Sequence, residues 1–310
     1  MKTNYEEIVN VNAIGKAENP VSLNEILKKA NDEQLTPSKQ NKERALFIGI
    51  DVQQDFMDNG ALGVPGAHGD VERMTRFIYN NMDKISNIAV SIDTHTPHQI
   101  FHPCWWIDEN GSNPTPNTPI TLEDLDNGKY RPIIHPLKSR QYVENLEASA
   151  KKTLMVWPYH CIQGTTGCAL ENQFANMVYF HSVAKKAATE RMVKGYNPLS
   201  EMYGITKEEA GCTPENNVNI NIDFLNKVEK YDKIIIAGEA ASHCVLESIK
   251  QILEHYGNRK DVTEKIYILE DCMSCVVVPG VDFEGMTKQA FDEFKTKYHV
   301  NLVNSTDSIL

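Results

Sequence analysis

From Ala45 onward, short apolar runs that close in polar residues alternate with longer segments whose apolar positions recur three and four residues apart. The runs "ALFIGID" (45–51) and "NIAVSID" (87–93) flank "DVERMTRFIYNNMDKI" (70–85), which predicts strand, helix, strand. Further on, "TLMVW" (153–157), "KIIIAG" (233–238) and "KIYILED" (265–271) predict strands. Helices are predicted over "ALENQFANMVYFHSVAKKA" (169–187) and residues 242–255, with a last helix and strand in "EGMTKQAFDEFKTKYHVNLVN" (284–304). Strands that are apolar almost throughout are buried on both faces, so the pattern implies an α/β fold with a mainly parallel sheet flanked by helices.

Two segments break this rhythm. Residues 1–43 are polar and mixed in charge, and read as an N-terminal extension outside the core of a domain spanning 44–310. Their one helical stretch is "SLNEILKKANDEQL", with Ser22 as cap and Glu25 completing a capping box. Residues 107–152 are rich in Pro, Asn and Gly, carry one short helical piece, and are too long for a routine connection. They predict a large insertion near the mouth of the crevice where the strands end.

Composition limits what this fold does. A chain of 310 residues with 41% hydrophobic content buries a full core, and its net charge of -11 offers no basic field for nucleic acid or an anionic membrane. No stretch approaches the roughly 20 apolar residues of a membrane span, and the first residues do not form a secretory signal, so the expected location is the cytoplasm. Seven irregularly spaced cysteines read as mostly reduced thiols, with Cys272 and Cys275 as ordinary packing. There is no GxGxxG or GxxxxGK[ST] loop to support a nucleotide-binding reading.

In parallel sheets, ligands sit beyond the carboxyl ends of the strands, so the polar residues closing each strand carry the chemistry. Asp51 closes the first strand and Asp93 the second, while "GEAASHCV" places Cys244 between a strand and a helix start. A helix start lowers a thiol pKa and offers amides to an oxyanion, which suits a nucleophile; a buried structural thiol is the alternative. Asp51 is placed to act as general base and then general acid. "SIDTHTPHQIFHP" packs Asp93, His95, His98 and His102 together, and "WPYHCIQGTTG" adds His160. One carboxylate with several imidazoles is a donor set for a divalent metal such as zinc, iron or manganese.

Six segments in order, "IDVQQDF", "GALGVPGA", "DTH", "WPYHCIQGTTG", "MVKGYNPLSEMYG" and "GEAASHCV", resemble the isochorismatase-like cysteine hydrolases, nicotinamidases above all, from about Ala45 to Asn304. The resemblance implies a Rossmann-like three-layer fold and a catalytic triad of Asp51, Lys194 and Cys244. It implies a cis peptide between Glu239 and Ala240 that aims the Ala240 and Cys244 amides at an oxyanion. It implies a metal held by Asp93, His95, His160 and either His98 or His102. His102 is preferred because it precedes a proline and the aromatic pair Trp105 and Trp106, residues suited to walling a flat ring. With Phe56 and His243, those two tryptophans make up the expected substrate pocket.

The implied activity is metal-assisted hydrolysis of a small amide through a Cys244 thioester, nicotinamide to nicotinate first. The alternatives are another amide or an N-carbamoyl compound on the same triad, or an idle ligand-binding or redox-sensing protein. The expected partner is a small molecule, with a homo-oligomer implied by resemblance. The chain departs from the nicotinamidase pattern in the 107–152 insertion, in the 43 extra N-terminal residues, and at Glu239 and Ala241, where those enzymes usually carry an apolar residue and threonine.

Overall fold

The structure, a computed structural model, describes residues 1–150 and 152–310. In chain order its principal elements are α1 (Leu23–Asn31), β1 (Ala45–Ile50), α2 (Ala67–Asn80), β2 (Ile85–Asp93), β3 (Trp106–Asp108), β4 (Pro119–Ile120), α3 (Leu122–Asp126), β5 (Tyr130–Pro132), α4 (Pro136–Asn145) and β6 (Leu154–Met155). They continue with α5 (Asn172–Ala184), β7 (Glu190–Lys194), α6 (Ile222–Val228), β8 (Lys233–Gly238), α7 (Leu246–Tyr256), α8 (Lys260–Thr263), β9 (Ile266–Leu269), α9 (Phe283–Tyr298) and β10 (Asn301–Val303).

Six strands form one parallel sheet in the order β10-β9-β8-β1-β2-β7. The two-residue period of each strand divides its side chains between two helical layers. Leu46, Ile48 and Ile50 of β1 join Ile234 and Ile236 of β8 beneath α6, α7 and α9. Phe47, Ile235 and Ala237 face the opposite layer, made by α1, α2 and α5. Each such side chain contributes about 1.5–3 kcal/mol by leaving water. After β1 the chain moves outward to β2 and β7, then returns to the other side of β1 as β8, so a switch point opens beyond the ends of β1 and β8.

The expected fold class is observed, with differences in detail. "TLMVW" supplies only β6, which pairs antiparallel with β4 outside the main sheet. The sixth strand of the sheet is β7, an edge strand whose alternately exposed positions leave no apolar run. The helix expected over 70–85 runs over 67–80, because the Asn81 side chain bonds the Phe77 carbonyl and β2 begins at Ile85.

Residues 1–43 do not lie outside the core. Tyr5, Ile8, Val9, Ile14, Ile26 and Ala30 are buried in the layer of α2 and α5, and the Tyr5 hydroxyl meets Thr75 Oγ1 at 2.8 Å. Ser22 caps α1 by position, without a side-chain hydrogen bond.

The insertion, of which residue 151 lies outside the described residues, holds two helices and two small antiparallel ladders rather than one helical piece. It packs a separate apolar cluster that includes Trp105, Trp106, Ile120, Tyr142, Val143 and Leu154. All seven cysteines are free, and no described helix is long and apolar enough to cross a membrane.

Candidate active site

Register brings the polar strand ends together. Asp93 is the pairing partner of Lys194, and Ile50, just before Asp51, is the partner of Gly238. Gly238 (φ 134°) lies so close to β1 that a Cβ would stand 2.1 Å from the Ile50 carbonyl oxygen. Only glycine fits, and the approach sets the turn that follows β8 directly over Asp51.

Lys194 Nζ lies 2.9 Å from Asp51 Oδ2, 3.2 Å from Asp93 Oδ1 and 3.8 Å from Cys244 Sγ, and donates to the Met202 carbonyl at 2.8 Å. Ser91 Oγ donates to Asp51 Oδ1 at 2.6 Å and accepts from the Asp51 N–H, fixing the carboxylate. All three members of this set are buried. Burial alone would lower the Lys194 pKa, but the Asp51 and Asp93 carboxylates outweigh it and keep the ammonium charged.

Cys244 falls in a wide helical turn, Ala241–Val245, that leads into α7. The helix start does not make it a resting thiolate. Burial pushes its pKa well above the ordinary thiol value; Lys194 pulls it down and Asp51 pushes it up again. The Asp51 carboxyl is likewise raised by burial, against the pull of Lys194. Burial thus favours the uncharged thiol, against the pull of the Lys194 ammonium, with the Asp51 carboxyl group beside it as a site that could take up its proton.

Beside this set, Asp93, His95 and His160 form a buried group whose ligand atoms lie within 4.8 Å of one another. The three histidines of this corner are oriented alike. The Nδ1 of His160 faces the Pro158 carbonyl at 2.8 Å, and that of His102 faces the Thr96 and Pro97 carbonyls, both at 3.1 Å. His95 Nδ1 lies 3.4 Å from the Gly195 carbonyl, while its Nε2 meets Asp93 Oδ2 at 2.8 Å. Nδ1 contacts of this kind orient a ring so that Nε2 points to the ligating side.

Burial lowers His160 to about 3 and His102 to about 4, so both are neutral donors near neutral pH. His102 Nε2 is buried with no partner among the described residues, and its ring centroid lies 6.0 and 5.8 Å from those of His95 and His160. His98 is exposed and outside this corner. The donors fit a divalent metal: Asp93, His95 and His160 form the close group, and the orphaned Nε2 of His102 borders it.

A narrow cavity of about 50 Å³ reaches both groups. Of the expected pocket residues, Phe56 and His243 line it, together with Ala240 and Cys244, whereas Trp105 and Trp106 do not. Both tryptophans are fully buried in the insertion, with Trp105 Nε1 on Ser139 Oγ at 3.0 Å and Trp106 Nε1 on the Ile100 carbonyl at 2.5 Å. Their ring surface is spent on the insertion's own core, which no local motif announces.

The aromatic wall is instead Phe101, Trp157 and Tyr203, joined by Glu201 and Met202. Trp157 Nε1 donates to the Tyr203 hydroxyl at 3.0 Å, and Tyr203 donates to Glu201 Oε1 at 2.6 Å. Trp157 stands three residues before His160 in "WPYH", a spacing that could have flagged it. The Glu239–Ala240 peptide is cis.

The six-stranded parallel sheet with its switch-point crevice is a fold shared with solved nicotinamidase structures. The chain superposes on the Acinetobacter baumanii nicotinamidase/pyrazinamidase with a TM-score of 0.55 at 17% identity, covering 86% of this chain and 99% of that one. The yeast nicotinamidase Pnc1p bound to the inhibitor nicotinaldehyde gives 0.56 at 18% identity, covering 84% and 99%. The L. infantum PnC1 in complex with nicotinate gives 0.51 at 14%, covering 88% and 97%. No protein-family model matches the chain, and no curated protein does.

Proposed function

We propose that this protein is a cysteine amidohydrolase acting on a small carboxamide, with nicotinamide as the first substrate to test. The observation that carries the reading is the buried contact of Lys194 with Asp51 (2.9 Å) and with Cys244 (3.8 Å), which itself lines a narrow cavity. The likeness of fold to nicotinamidases supports it.

Cys244 Sγ attacks the amide carbonyl carbon while its proton passes to Asp51, and Lys194 holds both groups in place. The carbonyl oxygen, now an oxyanion, is met by the Ala240 and Cys244 backbone amides. Asp51 gives the proton to the leaving nitrogen, the C–N bond breaks, and ammonia departs from a thioester. Water then attacks the thioester, loses a proton to Asp51, and releases the carboxylic acid as the proton returns to sulfur. A divalent metal (zinc, iron or manganese) held by Asp93, His95, His160 and His102 would supply a Lewis-acid anchor for a substrate heteroatom. Phe56, Phe101, Trp157 and Tyr203 exclude water and bracket a flat ring.

A second substrate class, amides carrying a hydrogen-bond donor such as N-carbamoyl compounds, is favoured by one observation: Glu201 adds a carboxyl to the aromatic side of the cavity formed by Phe101, Trp157 and Tyr203. The test is ammonia release from a panel of nicotinamide, pyrazinamide and N-carbamoyl amino acids by the metal-loaded protein beside Cys244→Ala. Release that the variant abolishes supports the reading. Release that survives the substitution, or none from any amide, refutes it.

A further inference from the structure

The turn that carries Ala240 and Cys244 is held on three sides. The Glu239 N–H donates to the Ile50 carbonyl at 2.8 Å, tying the turn to β1. The Ala241 N–H donates to the Ser274 carbonyl at 2.7 Å, and Ser242 Oγ accepts from the Val276 N–H at 3.1 Å, tying it to the segment after β9. The third side is the Glu239 side chain, which meets Asp70 of α2.

That contact is between two acids. Glu239 and Asp70 are 0% and 1% exposed, and Glu239 Oε1, Glu239 Oε2 and Asp70 Oδ2 are all buried without a well-formed hydrogen bond to any donor of the described chain. Two facing carboxylates cannot both be ionised in such a place, whereas a single shared proton turns the repulsion into a hydrogen bond. The surroundings decide which acid keeps it. Arg73 Nη2 holds Asp70 Oδ1 at 2.6 Å, so the charge belongs on Asp70 and the proton on Glu239.

We propose that Glu239 is a positioning residue for the amidohydrolase site: it stays protonated, donates to the Asp70 carboxylate, and so fastens the turn that presents the Ala240 amide to α2. This rests on the hydrolase reading only for its kinetic consequence; the shared proton exists with or without a substrate. Burial, and the facing Asp70, raise the Glu239 carboxyl well above the ordinary value. The charged and titratable groups around the pair are Asp70 and Arg73 from α2, Asp58 from the loop after β1, and Asp271 and Cys272 after β9.

Infrared difference spectra and steady-state kinetics of the full chain test this together. The spectrum of the wild type minus Glu239→Gln at neutral pH should contain one buried protonated-carboxyl band. Glu239→Leu, which leaves Asp70 Oδ2 without a donor, should lower kcat by about 10- to 100-fold with KM within about twofold, since only the transition state needs the amide in place. Glu239→Gln, which still donates to Asp70, should recover most of that kcat and lose the part of the alkaline decline that the wild type owes to Glu239.

Absence of the carboxyl band, or a Glu239→Leu enzyme with unaltered kcat, overturns the proposal. If Glu239→Leu does not fold, the band and the Glu239→Gln pH profile decide. If no amide is turned over, the hydrolase reading fails separately, and the band still answers for the proton.

Discussion

Lys194 Nζ and Asp51 Oδ2 are 2.9 Å apart, the lysine at the end of an edge strand and the aspartate at the end of the central one, with both side chains out of reach of water. The ammonium serves two carboxylates at once, Asp51 and Asp93, and it also reaches the Cys244 sulfur. A cation so placed is part of the fold as much as of the chemistry.

Replacing Lys194 by Met leaves both carboxylates buried without their counter-ion. Removal of one partner from a buried pair costs about 3–5 kcal/mol. Urea unfolding of Lys194→Met should show a loss of that order together with loss of amidase activity; a stability change below about 1 kcal/mol would contradict the buried ion pair.

Metal content separates the histidines. His95→Ala or His160→Ala should strip the bound divalent ion, read by elemental analysis of the purified protein, whereas the exposed His98→Ala should retain it. Chelation should also lower the melting temperature of the wild type, because a ligand at a hundred times its Kd contributes about 2.7 kcal/mol. A metal content unaffected by His160→Ala would remove His160 from the site.

The tryptophans divide between stability and binding. Trp106→Ala opens a void in the core of the insertion and should cost about 3–5 kcal/mol. Trp157→Phe removes the hydrogen bond to Tyr203 at the cavity wall and should raise KM several-fold with little change in the urea midpoint. The opposite pattern would show that the cavity wall has been misplaced.

Two buried groups should make stability depend on pH with opposite signs. Burial raises Glu201 from 4.5 to about 7, so its contribution is complete below about pH 4.5 and is lost as the pH rises through 7. Burial lowers His181 from 6.5 to about 4, so its contribution is complete above about pH 6.5 and is lost as the pH falls through 4. Urea midpoints of Glu201→Gln between pH 4.5 and 8 should fall less steeply than those of the wild type, by on the order of 2–3 kcal/mol across that range. Parallel curves would place Glu201 in an ordinary ionised state.

How far the sequence reveals this arrangement depends on how each segment is buried. β1, β2 and β8 are covered on both faces and so show plain apolar runs, which made Asp51, Asp93 and the turn before Cys244 legible. β7 is a short edge strand with only Met192 and Val193 apolar, so "ERMVK" carries no run, and Lys194 is legible only through the resemblance. Trp105 and Trp106 stand beside a histidine-rich stretch, yet their rings fill the interior of an insertion whose compactness depends on contacts with Tyr142, Val143 and Leu154 far along the chain. The N-terminal 43 residues look polar because only one side of them is apolar, and that side meets α2 and α5.

The position of β8 governs the order in which a growing chain acquires this site. β8 lies between β1 and β9, and its first residue pairs with Ala45, so residues synthesised far apart must meet before the sheet closes. Until Lys233–Gly238 leave the ribosome, β1 is an open edge, and Asp51 and Lys194 face water with no sulfur beside them. The Cys244 thiol is thus the last of the three to emerge, after Asp51 and Lys194, and no shorter nascent chain holds all three side chains.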